Sequence, residues 1–185
     1  MTTERVLYEP TRPVFPSPAA LITSVDAEGR PNIITLGEAF NLSIRNPVIV
    51  GIAIAPGRYS HELISAQGEF VVNLPPAALL ERVLACGQVS GRKVDKFAEF
   101  GLTPLPATKV RPPLIAECPI NIECRLLEVQ TIGDHDLFQG EVLAHHVSPE
   151  LLGEDGRIEH ERLSAVVFAQ WAFFEMGPLM DVWKR

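Results

Sequence analysis

The chain lacks a long apolar run. Its longest, Val48–Ala55, falls far short of the ~18 residues that a membrane-spanning helix needs. Residues 1–15 carry Glu4, Arg5, Glu9 and Arg12, with no apolar stretch between charge and cleavage site, so no targeting segment is expected. Cysteine is scarce and odd in number at three, which fits a reducing cytoplasm better than a disulfide framework. Cys118 and Cys124 are six positions apart in a stretch that reads as strand. At about 3.3 Å per residue they lie ~20 Å apart, too far to bridge or to share a metal, so all three cysteines are expected as small buried residues.

Positive charge is also in deficit. Sixteen Lys and Arg stand against 23 Asp and Glu, a net charge of −7, which disfavours a general nucleic-acid binder but leaves room for a local basic pocket. The chain has no H-E-x-x-H, no G-x-S-x-G, no G-x-G-x-x-G and no phosphate-cradling P-loop, so hydrolase, Rossmann and nucleotide-triphosphate chemistries have no support. His145 and His146 are adjacent on a predicted strand and face opposite sides, which argues against a shared metal.

Proline is plentiful. Sixteen are spread along 185 residues, above the usual ~5%, and favour turns and short strands over a helix bundle. The length suits one domain, 1–185, with residues 1–18 (Pro10, Pro13, Pro16, Pro18) as an extended N-terminal arm. Ala19–Val25 and Asn32–Leu36 read as a hairpin turning at Gly29. Val48–Ala55 reads as a strand buried on both faces, ended by Pro56-Gly57. Ser60 is the expected N-cap of a helix over His61–Ala66, followed by a strand over Glu69–Leu74. Pro75-Pro76 opens a second helix with Leu79, Leu80, Val83 and Leu84 on one face. Val94, Phe97 and Phe100 mark a third.

Ile120–Thr131 alternates, with Ile120, Ile122, Cys124 and Leu126 on one side. At Leu127 and Val129 the phase flips, which predicts a β-bulge of the kind that bends barrel strands. Gly133-Asp134 is a turn and Leu137–Val147 returns. Pro149–Glu161 is a polar loop, and Ala165–Phe174 is the last strand. These elements predict a mainly β, antiparallel barrel with short helices at its rim.

Three places carry potential chemistry. Arg58-Tyr59-Ser60-His61 puts a cation and a hydroxyl at a helix start, which suits a phosphate; an ordinary capped helix with a solvated arginine is the alternative. Ser90-Gly91-Arg92-Lys93 with Lys96 sets three cations in five residues beside a glycine that permits close backbone approach. This suits an anion, with a solvated charge run as the alternative. His135 stands at a hairpin tip, where a side chain is aimed at a ligand or simply at solvent.

Three segments, in order, resemble the flavin reductase-like family of FMN-binding split barrels, closest to its flavoredoxin branch. They are Pro56-Gly-Arg-Tyr-Ser-His61 with Gly68-Glu-Phe-Val-Val-Asn73; Cys86-Gly-Gln-Val-Ser-Gly-Arg-Lys-Val-Asp-Lys-Phe97; and Gly133-Asp-His-Asp-Leu-Phe-Gln-Gly-Glu-Val142. The resemblance runs from Pro18 to about Trp171. It implies a split β-barrel homodimer that binds FMN without a covalent bond at its interface.

Carried over by position, Arg58, Tyr59 and Ser60 would surround the phosphate, and Ser90, Gly91 and Lys96 the phosphate and ribityl chain. Asn32 and the loop Phe40-Asn41-Leu42-Ser43 would edge the ring. His135 would approach the isoalloxazine, and Phe168 would form an apolar wall. Many relatives carry a Trp-Thr pair where this chain has Gly37-Glu38-Ala39-Phe40. The implied activity is an NAD(P)H-dependent flavin reductase with hydride transfer through FMN N5, acting on a small molecule or a redox partner protein. The other implied classes are an electron carrier with tightly bound FMN and a non-redox module for flavin or haem. No metal, nucleic acid or membrane is implied.

Overall fold

The computed structural model describes residues 3–182. Its main sheet has seven antiparallel strands. These are β2 (Ala20–Val25), β3 (Pro31–Leu36), β4 (Ala39–Ile44), β5 (Val48–Ile54), β6 (Glu69–Leu74), β9 (Ile120–Ile132) and β10 (His135–Val147). Their order is β3-β2-β6-β9-β10-β5-β4, so the sheet curls into a barrel that is split between β3 and β4. β1 (Ser17–Pro18) joins β11 (Val166–Ala169) and β12 (Ala172–Glu175) in a small second sheet. β7 (Pro104–Leu105) pairs with β8 (Leu114–Ile115). Three short helices, α1 (Tyr59–Gln67), α2 (Leu80–Gln88) and α3 (Lys96–Phe100), sit at the rim. No helix among the described residues is long and apolar enough to cross a membrane.

Two cores meet at β2. Ala20 and Ile22 point into the barrel against Ile52, Phe70 and Phe138, while Ala19 just before β2 and Leu21 within it pack outward against α2, α3 and β8. A strand packed on both faces is buried along its whole length. The strand that meets this condition is β2, every residue of which is buried, and not Val48–Ala55, which the continuous apolar run suggested. In β5, Val50, Ile52 and Ile54 face the core, whereas Val48 is exposed.

The β-bulge lies where the phase flips. Gln139 pairs with Glu128 and Gly140 with Leu126, which leaves Leu127 as the extra residue. A second shift skips Leu143 on β10. The loop over Thr108–Val110 is pinned by Glu123, a fully buried carboxylate. It accepts from the backbone N–H of Thr108, Lys109 and Val110 at 2.9, 2.6 and 3.1 Å, from the Thr108 hydroxyl at 2.9 Å, and from His146 Nε2 at 2.6 Å.

The structure corrects several local expectations. Phe40-Asn41-Leu42-Ser43 is not a loop but part of edge strand β4, with a register shift between Asn41 and Ser43. Ala165–Phe174 is not one strand but the β11–β12 hairpin, turned by Gln170, which adopts φ 58°. The buried side of α2 is formed by Val83 and Cys86, with Leu79 just ahead of them, while Leu84 is exposed. α1 starts two residues early at Tyr59, with Arg58 as its N-cap residue. Ser60 therefore lies inside the helix and caps nothing. The three cysteines are free and buried, as their spacing implied.

Candidate functional site

β3, the β5–α1 turn, the end of α2, the Ser90–Lys93 turn and α3 together enclose a polar cleft of about 420 Å³. From β3 comes Asn32, and from the start of α1 come Arg58, Tyr59 and Ser60. The turn after α2 supplies Ser90, Gly91 and Lys93, α3 supplies Lys96, and the tip of β10 supplies His135.

Each group is positioned by its local backbone. Arg58 N–H donates to the Ala55 carbonyl at 3.0 Å, closing the turn made by Pro56-Gly57, and the helix then begins without a side-chain cap. The first N–H groups of α1 are thus left to whatever occupies the cleft. Asp95 caps α3, accepting from the N–H of Phe97 at 3.0 Å and Ala98 at 3.3 Å, and this aims the next side chain, Lys96, inward. Lys96 Nζ donates to the carbonyls of Ile33 and Cys86, both at 2.6 Å. Burial, and then the positive charge of Arg58, lower its pKa, with Cys86 acting the other way. Neither Arg58 nor Lys96 forms a salt bridge among the described residues.

Asn32 Nδ2 donates to Ser60 Oγ at 2.7 Å, and both residues are buried. Its Oδ1 is buried with no partner and lies directly over Gly91, where an added Cβ would fall 1.8 Å away. Only glycine leaves room for the amide there. Arg92 turns away from the cleft, pairing with Glu62 at 2.5 Å and lying 4.5 Å over the Tyr59 ring. At the far rim, His135 Nδ1 is 2.9 Å from the carboxylate of Asp134, which can only accept, so Nδ1 carries the proton. This hydrogen bond holds the Asp134 carboxyl below its usual pKa. Alongside, His61 Nε2 meets Asp136 Oδ2 at 2.7 Å and tethers α1 to β10.

Phe40, Asn41 and Phe168 do not line this cleft. They line a second, apolar chamber of about 680 Å³ at the mouth of the barrel. Leu42 and Ser43 line neither; Ser43 Oγ donates within its own turn, to the carbonyls of Arg45 and Pro47 at 3.0 and 2.8 Å. Two residues that the sequence did not single out, Arg12 and Glu38, form an ion pair and border both cavities. They are 26 positions apart, one in a proline-rich arm and one in a turn, and no periodicity links them.

The flavin reductase like domain model matches residues 12–173. A protein of Archaeoglobus fulgidus is 41% identical over 128 residues, which is 69% of this chain and 71% of that protein. The NADH:riboflavin 5'-phosphate oxidoreductase of Streptomyces pristinaespiralis is 30% identical over 128 residues, 67% of each chain. Among solved structures, the flavoredoxin of Desulfovibrio vulgaris (Miyazaki F) superposes with a TM-score of 0.87 at 26% identity, covering 98% of this chain and 97% of that one. On this match, which takes in both the barrel and the cleft, the chain belongs to the flavin reductase-like family.

Proposed function

We propose that the protein is an FMN-dependent oxidoreductase, with the polar cleft as its flavin site and NAD(P)H as its reductant. One observation carries the reading. Arg58 and Lys96, 38 positions apart in sequence, line the same cleft, and neither has a carboxylate partner among the described residues. An anion in the cleft gives both cations a partner, and the uncapped N-terminus of α1 favours a phosphate in the same place.

The rest of the cleft suits FMN. The orphaned Oδ1 of Asn32 needs a donor, which a ribityl hydroxyl provides, and Gly91 leaves the backbone open to close approach. Arg58, Tyr59, Ser60 and the third N–H of Lys96 would hold the phosphate, and Ser90 and Gly91 the ribityl chain. His135 would stand at the ring. FMN, once bound, supplies hydride acceptance at N5 and the ability to pass electrons on singly or in pairs. The chain's part is to bind, orient and shield it. His135, which lines the cleft, donates from Nδ1 to Asp134, and this leaves its Nε2 as an acceptor.

We also propose a homodimer. Phe40, Leu42 and Leu137 gather over Gly51 on the outer face of β4 and β5; a Cβ there would lie 2.7 Å from the Phe40 ring and 3.1 Å from each leucine. Phe40 and Leu42 are 45% and 44% exposed, an apolar surface that a second copy would cover. Trp171, 70% exposed, and Phe174, 54% exposed, are further contact candidates. The free cysteines support a reducing compartment, the cytoplasm.

The likeness to a flavoredoxin supports a second reading, an electron carrier whose FMN exchanges electrons with a protein partner. The test is anaerobic addition of NADH or NADPH to the FMN-loaded protein. Bleaching of the flavin absorbance without another protein is the expected result. Persistent colour with both nucleotides, reversed only by a redox protein, would favour the carrier.

A further inference from the structure

We infer that the chamber at the barrel mouth is a second binding site, separate from the flavin cleft, for a small uncharged ring compound. Protein interiors are close-packed, so a cavity of about 680 Å³ opening off the barrel core is an exception, and its size is that of a small-molecule site. Its floor is the side chains of Val50, Ile52, Val72 and Ile122, carbon only, and Phe168 and the segment Gly37–Asn41 close its sides.

The N-terminal arm roofs it and is fastened at both ends. At one end Gln170 Nε2 donates to the Arg12 carbonyl at 2.9 Å, and the Arg12 guanidinium lies 4.8 Å from the Trp171 ring centre and 5.2 Å from that of Phe168. At the other, Ser17 and Pro18 pair with Phe168 and Val167. The residues between, Pro13 to Pro16, span the opening as a strap.

The charge at the rim selects the ligand class. Arg12 is the cation of the lining and Glu38 its anion, and they neutralise each other, so neither is left to hold an ionised ligand. Desolvating an unpaired charge over an apolar floor is unfavourable, which excludes carboxylates and amines. The side-chain amide of Asn41 makes no hydrogen bond among the described residues and stands at the rim, ready to accept from one N–H or O–H of a flat ring. The Arg12–Glu38 pair borders both this chamber and the cleft, so a ligand here sits beside the flavin site.

Indole fits these demands and serves as the probe. Calorimetric titration of the full chain should show saturable binding at one site per chain, with the same affinity in apo protein and in protein saturated with FMN. An indole carboxylate should bind at least about tenfold more weakly, since its charge finds no partner. Ser17→Trp, at the fastened end of the strap rather than in the core, should abolish indole binding and leave FMN binding unchanged; Ile122→Phe, filling the floor, should do the same. Absence of saturable indole binding, competition between indole and FMN, equal binding of the carboxylate, or wild-type indole affinity in a folded Ser17→Trp protein would each overturn the inference. Because the apo titration needs no flavin, failure of the FMN reading leaves this test intact.

Discussion

Asn32 donates from Nδ2 to the hydroxyl of Ser60 across 2.7 Å, a buried bond that fastens β3 to the first turn of α1. Ser60 therefore works as an acceptor on a neighbouring strand's amide, not as a cap for its own helix. The bond also fixes the other end of the amide over Gly91.

Gly91→Ala places a Cβ 1.8 Å from Asn32 Oδ1, so the amide must leave Ser60 or the Ser90–Lys93 turn must shift. The substitution should lower the thermal midpoint and weaken FMN binding together. Adding Asn32→Ala removes the clash, so the double variant should recover the midpoint of Asn32→Ala alone without recovering FMN affinity. Thermal unfolding and flavin fluorescence titration measure the two. A Gly91→Ala protein with wild-type midpoint and affinity would contradict the packing.

Lys96 serves two purposes that substitution separates. Its Nζ satisfies the Ile33 and Cys86 carbonyls, and a buried acceptor left without its donor costs about 1–3 kcal/mol. Lys96→Met should therefore lower the thermal midpoint even in flavin-free protein. Arg58→Ala, whose side chain has no ion-pair partner among the described residues, should not. Equal midpoints for the two apo variants would show that the lysine's bonds carry no stability.

Acid should loosen the Thr108–Val110 loop. Burial alone would raise the pKa of Glu123, but the hydrogen bonds from Thr108, His146 and Lys109 outweigh it and hold the group at about 2, below the ordinary 4.5. A carboxyl depressed on folding stabilises the fold above its unfolded pKa and loses that contribution as pH falls through its folded pKa. Stability should decline between about pH 4.5 and about pH 2 in the wild type. Glu123→Gln should be less stable at neutral pH and flatter over that window. Urea unfolding across the range reads both, and parallel curves would contradict the assignment.

The dimer predicts a mass near twice 20.3 kDa by light scattering with FMN bound. Leu42→Glu, at an exposed position beside Gly51, should give a folded monomer near 20.3 kDa. A wild-type protein at the monomer mass would refute the pairing.

Much of this was legible in the sequence, for physical reasons that differ from place to place. Strand β9 and the bulge at Leu127 were readable because alternation is a local property of the chain. β4 was not, because a short edge strand with mostly exposed residues shows no inside–outside contrast. The double burial of β2 was hidden by Thr23 and Ser24, two polar residues at 0% exposure, with the Thr23 hydroxyl donating to the Pro113 carbonyl. The cleft emerged from motifs at Arg58, Ser90 and His135. The barrel-mouth chamber did not, since its walls come from the arm, β4, the barrel interior and β11, whose association only the fold creates.

The central claim is that Arg58 and Lys96 meet on the phosphate of FMN. Its most direct measurement is the dissociation constant of FMN, set beside that of riboflavin, for wild type and Arg58→Ala. A hydrogen bond to a charged group contributes about 1.5–3 kcal/mol, or roughly 10- to 150-fold in affinity. FMN should weaken by that factor in Arg58→Ala, riboflavin should bind both proteins alike, and Lys109→Ala should change neither ligand. Unchanged FMN affinity in Arg58→Ala, or an equal loss of riboflavin, would contradict the account.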